Sequence, residues 1–219
     1  MMEEPMRQNY TEQLMDLNQD ILNLGAMAEK ILDMSIKALL EKDEALAQEV
    51  ISFENEIDKV ELELEAKAIR LIALQQPMAK DLRRIIGIIK MINDLERVGD
   101  LSENIAEIVI KIGKDKFVKP LVDIPKMAEI TKKMIRLSLD CYVKEDVALA
   151  KEVFDMDDVV DDLYKEIYTE LLNLFSKDVS IMDQVVDLLF IGRYLERVAD
   201  HATNICEHVN YIVTGEQSF

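Results

Sequence analysis

Tryptophan is absent from this 219-residue sequence, and glycine and proline are scarce, at 6 and 4. A chain with so few breakers has few places to turn, so long helices are expected. The two cysteines, Cys141 and Cys206, form no metal-type cluster, and both sit in helical patterning, the signature of buried free thiols. No apolar run approaches the roughly 20 residues that cross a bilayer. The opening Met1-Met-Glu-Glu-Pro5 has no basic region followed by an apolar core. No secretion signal is expected, and cytoplasmic residence follows as the default. Basic residues number 26 against 44 acidic, a net charge of −18. Such a chain repels phosphate backbones, which argues against nucleic acid as a partner. Catalytic signatures are missing as well: there is no Gly-rich phosphate loop, no serine or cysteine nucleophile motif and no His-x-x-x-His pair.

What the chain does have is apolar periodicity. Hydrophobic residues make up 49% and charged residues 32%, the mixture of a folded chain with apolar stripes. Leu17, Ile21, Leu24, Ala28 and Ile31 recur at steps of three and four, predicting a first helix over residues 3–41. Asp43 is placed to cap a second helix that ends near Leu74. Gln75-Gln76-Pro77 breaks it, and proline suits the first turn of a third helix, which stops near Gly113. Residues 114–125, with Pro120 and Pro125, read as the linker and the best domain boundary. A fourth helix follows through Met127, Met134 and Cys141, and a fifth from Asp146 to near Ser176. Ser180 and Asp183 have capping-box spacing at the start of a sixth, which reaches Thr214 before Gly215.

The second half repeats the first. Leu95-Glu-Arg-Val-Gly-Asp-Leu-Ser-Glu-Asn-Ile-Ala-Glu107 returns 100 residues later as Leu195-Glu-Arg-Val-Ala-Asp-His-Ala-Thr-Asn-Ile-Cys-Glu207, identical at eight of thirteen positions. Asp43–Val50 returns as Asp146–Val153, identical at six of eight. The expected architecture is all-α, a tandem pair of pseudo-symmetric three-helix bundles spanning residues 1–115 and 121–219.

Within the repeated stretch, Glu96 and Asp100 recur as Glu196 and Asp200. A step of four on a helix advances a side chain by about 400°, so each pair climbs one face. The middle helices carry matching pairs, Glu54 with Asp58 and Asp157 with Asp161. Like charges at this spacing destabilise a bare helix, so their duplication points to a site. If the ladders of adjacent helices face each other, four carboxylates converge in each half. An oxygen-rich anionic volume of that kind suits Mg²⁺, Ca²⁺, Mn²⁺ or iron. Two rival readings stand beside this one. One is a metal-dependent enzyme or iron-handling protein, which the lack of Glu-x-x-His beside the ladders disfavours. The other is a structural helical scaffold whose acidic faces are solvated and neutralised locally by Arg97 and Arg197. His201 and His208 read as surface histidines, and Asn104 and Asn204 as residues that cap, bridge or fill polar positions.

Taken jointly, the ladders, the paired Leu-Glu-Arg-Val-(Gly/Ala)-Asp copies, their Asn-Ile and Gln76-Pro-Met-Ala-Lys-Asp-Leu-Arg83 resemble the PhoU family over essentially the whole chain. The resemblance implies a non-enzymatic negative regulator of phosphate uptake and of the phosphate-starvation response. It would act between the ATPase of the Pst phosphate transporter and a PhoR-type sensor kinase, reaching the membrane only through such partners, and it leaves a homodimer open. It also implies metal ions, multinuclear iron among them, held by Glu54, Asp58, Glu96 and Asp100 in the first half. Asp157, Asp161, Glu196 and Asp200 would hold them in the second. The Gln-Pro signature with Asp81 and Arg83 occurs only in the first half, so any role of those residues is one-sided.

Overall fold

A computed structural model of the chain describes residues 3–216, with side chains from Tyr10 onward. The outermost ends of the two expected repeats, residues 1–2 and 217–219, lie outside the described residues. Six helices run in order: α1 Glu3–Glu41, α2 Glu44–Gln75, α3 Lys80–Ile112, α4 Asp123–Lys144, α5 Ala148–Phe175 and α6 Met182–Thr214. A short 3₁₀ turn, Val179–Ile181, precedes α6, and no strand occurs among the described residues.

The local signals explain most of the boundaries. Asp43 caps α2, its carboxylate accepting from the backbone N–H of Ala45 and of Leu46 at 3.0 Å each. Gly113 and Gly215 end α3 and α6 at positive φ. Three expectations need correction. Proline 77 opens the turn rather than the helix; α3 begins at Lys80, after Gln76 and Ala79 adopt positive φ. Pro125 lies inside the first turn of α4, where its missing N–H costs nothing, so the linker ends at Val122. Asp178, not Ser180, caps the approach to α6: it accepts from the N–H of Ser180 at 2.9 Å and also from that residue's hydroxyl.

Helices α1–α3 pack on one another, as do α4–α6, giving two three-helix bundles. The bundles meet through α1 against α4 and α3 against α6, so α2 and α5 touch only helices of their own half. The expected stripe residues Leu17, Ile21, Leu24, Ala28 and Ile31 are fully buried, and the buried apolar side chains form one connected core through both halves. Helices α3 and α6 run antiparallel. Lys111, late in α3, pairs with buried Asp187, early in α6, at 2.5 Å. Gly87, early in α3, lies against Ile212, late in α6, where an added Cβ would stand 2.5 Å from the isoleucine side chain. Only glycine permits that approach. Between α1 and α4, Arg136 pairs with Glu29 and Lys132 with Asp33.

The linker is fastened down. Gln184 of α6 holds it from both sides, accepting from the Val118 N–H and donating to the Lys116 carbonyl at 3.0 Å. The Lys42 ammonium donates to the Asp115 carbonyl and sits 4.4 Å from the centre of the Phe117 ring.

Candidate metal centre

The α2–α3 pair forms the first acidic face. Ile57, next to Asp58 in α2, meets α3 at Gly99, where an added Cβ would lie 3.3 Å from Ile57. In the second half the matching pair is Val160 and Ala199, both fully buried. One carbon has moved across the interface, so the apolar contact that seats each ladder keeps about the same volume.

On this seat the ladders of α2 and α3 do face each other. Glu54, Asp58 and Asp100 each place a carboxylate oxygen within 4.8 Å of the others. Glu54 is only 5% exposed, and its Oε1 is buried without a hydrogen-bond partner. Such an atom normally has one, because leaving it bare costs the full desolvation of the group. Burial, then the neighbouring carboxylate of Asp58, then Glu103 and Asp100 push the Glu54 carboxyl up to about 8. Glu96 lies at the edge of the cluster. Burial and Asp100 raise it to about 7 against the opposing pull of Arg97. Arg97 itself donates to Asp100 at 2.5 Å and approaches Glu96 at 3.5 Å.

The second face is looser. Burial raises Asp157 to about 6, followed by Asp200, Asp161, Asp158 and Glu196, so all four expected residues share one electrostatic neighbourhood. Among the described residues, however, no three acidic oxygens of this half meet as closely as those of the first. Glu196 bonds to Arg193, one turn back on α6, while its Oε2 is buried and unpaired. The cation paired with Glu196 is Arg193 rather than Arg197, the counterpart of Arg97 in the repeat.

The histidines are not at the surface. His201 Nδ1 and His208 Nε2 bond to the two oxygens of Asp94 on α3, at 2.8 and 2.9 Å, and Asn204 Nδ2 donates to the same carboxylate at 3.2 Å. Asn204 therefore bridges the bundles, whereas Asn104 only bonds back to the Asp100 carbonyl of its own helix. Asp94 escaped the sequence reading because its partners lie on a helix more than 100 residues away. Glu61 and Glu103 escaped it too, although a signal existed: each stands three residues after a ladder carboxylate and so continues the same face. The guanidinium of Arg83 lies against Gly215 at the end of α6, and its Nε has no partner.

The model of the PhoU domain matches the chain twice, over residues 21–109 and 124–209. The chain belongs to the PhoU family. Members of the PhoU family are accessory and regulatory proteins rather than enzymes. A relative from Clostridium acetobutylicum, described as a phosphate-specific transport system accessory protein PhoU homolog, is 41% identical over 96% of this chain and 97% of its own length. One from Aquifex aeolicus, with the same description, is 38% identical over 94% of this chain and 93% of its own. Among solved structures, PhoU from Pseudomonas aeruginosa superposes with a TM-score of 0.90 at 32% identity, covering 94% of this chain and all of that one. The phosphate transport system regulatory protein PhoU from Streptococcus pneumoniae gives 0.89 at 28%, covering 96% and 99%. No helix among the described residues is long and apolar enough to cross a membrane.

Proposed function

We propose that this chain is the accessory regulator of a phosphate-specific transport system, repressing phosphate uptake and the starvation response while phosphate is ample. Its full-length likeness to relatives that carry that description carries the reading. In this role it links the ATPase of the transporter to a PhoR-type sensor kinase, on the cytoplasmic side, and meets the membrane through those partners. Deleting the gene in its host tests this. Alkaline phosphatase and related starvation products rise in phosphate-rich medium if the reading is right, and unchanged output refutes it.

The second part of the proposal is that the ladders hold hard cations. Glu54, Asp58, Glu96 and Asp100 serve the first half, and Asp157, Asp161, Glu196 and Asp200 the second. What supports it is the orphaned Glu54 Oε1 among converging oxygens. A bound cation supplies positive charge that offsets the mutual repulsion and desolvation of these carboxylates. The chain's own work is to hold the oxygens in place through the apolar seat at Ile57 and Gly99. The rival scaffold reading draws on Arg97, which already pairs with Asp100 and Glu96. Metal content after gentle purification separates the two.

A further inference from the structure

The two acidic faces occupy matching positions but differ in chemistry at several of them. Glu54, with its long arm, corresponds to the shorter Asp157. Glu61, one turn beyond Asp58, corresponds to Tyr164. Glu103, one turn beyond Asp100, corresponds to Thr203, whose hydroxyl is turned to the Asp200 carbonyl. Asn93, which bonds back to the Ile89 carbonyl, corresponds to Arg193, which holds Glu196.

Asp158 adds a charge to the second face where the first has Asn55, but Glu61 and Glu103 add two to the first. Glu61 and Glu103 lengthen the first face at both ends, adding acceptors and negative charge to the Glu54–Asp58–Asp100 cluster. Tyr164 replaces one of those carboxylates by a ring that lies against Gly192, 3.1 Å from where a Cβ would be. Each face already holds one guanidinium, Arg193 on Glu196 in the second and Arg97 on Asp100 in the first, so the arginines do not distinguish them. Each face holds one buried carboxylate oxygen without a partner, Glu54 Oε1 in the first and Glu196 Oε2 in the second, but among the described residues only the first brings oxygens of three acidic residues within 4.8 Å of one another. Consistent with this geometry, Glu103 is raised first by burial, then by Glu107, Asp100 and Asp58, while Arg193 opposes the rise of Glu196 and Asp200 as Arg97 opposes that of Glu96.

We propose that the faces are unequal cation sites: the α2–α3 face, extended by Glu61 and Glu103, binds hard divalent cations tightly and fills first. The α5–α6 face, with Tyr164 and Thr203 in place of those carboxylates, fills only at higher free metal. The chain then has two thresholds of metal loading rather than one. This inference rests on the metal-binding reading of the ladders.

Titration of the full chain with Mn²⁺, following the free-ion signal by electron paramagnetic resonance, tests it. Two classes of site at least about tenfold apart in affinity are expected, since ligand charge and number set affinity for hard cations. The E61Q/E103Q double variant keeps side-chain size and weakens the tight class about tenfold, leaving the weak class in place. Y164E, which installs the carboxylate found at the matching first-half position, tightens the weak class by several fold. Circular dichroism confirms that each variant is folded. A single class of equal sites overturns the inference and leaves the metal reading standing, as does either variant with both classes unchanged. No Mn²⁺ bound at either face overturns both.

Discussion

Asp94 on α3 accepts a hydrogen bond from Nε2 of His208 on α6, 2.9 Å away and 114 residues along the chain. The same carboxylate takes a bond from His201 Nδ1 at 2.8 Å. An ionised carboxylate only accepts, so both imidazole nitrogens facing it carry protons. This node joins the two bundles at the middle of the α3–α6 contact, and it has no pseudo-symmetric copy: position 194 is a tyrosine and position 101 a leucine.

Asp94→Ala is expected to cost about 3 kcal/mol in urea denaturation, because it leaves two partly buried imidazoles without their acceptor. The pH dependence of the node follows from its direction of shift. Burial pushes Asp94 up, but the bonds from His201 and His208 outweigh it and hold the carboxyl below its ordinary 3.8. The unfolded chain then binds the proton first as pH falls. Stability from this group is present above pH 3.8 and is lost as pH drops through the lower folded value. Asp94→Asn should lose that acid-limb slope; an unchanged slope would show that Asp94 does not supply it.

Gly87→Ala should destabilise the bundle interface by about 1–3 kcal/mol, since its methyl would enter the Ile212 side chain. Adding Ile212→Ala should recover part of that loss, so the double-mutant cycle shows coupling. Strict additivity of the two changes would contradict the close α3–α6 approach.

Glu54 gives the opposite pH behaviour in metal-free protein. Its folded value, about 8, lies above its ordinary 4.5. Between those values the folded chain holds a proton that the unfolded chain has released, so stability falls as pH rises through that window. Glu54→Gln in the presence of a chelator should flatten the fall between pH 5 and 8. Denaturation midpoints that track wild type across this range would remove Glu54 as its source.

Cation binding to the folded form alone raises its stability by about 2.7 kcal/mol at ~100 times the Kd, or about 5–10 °C in melting temperature for a chain of this size. Asp100→Asn should cut the share due to the first face and Asp200→Asn that due to the second. A melting temperature indifferent to Mg²⁺, Mn²⁺ and iron would leave the ladders as solvated faces.

The sequence by itself determined the six helices, the repeat and the ladders. Each is a matter of short-range geometry. Apolar steps of three and four define a buried stripe, Asp43 supplies acceptors to the next turn, and carboxylates four apart share a face whatever else the helix touches. The rotation of each helix against its neighbours was decided only in the tertiary structure, where side chains from distant segments compete for the same volume. That packing brought Glu54, Asp58 and Asp100 together, left Glu96 at the edge, and set Arg193 rather than Arg197 on Glu196. It also turned two histidines inward onto Asp94, because α3 and α6 run antiparallel in close contact at Gly87, and no local periodicity records which residues two remote helices present to each other.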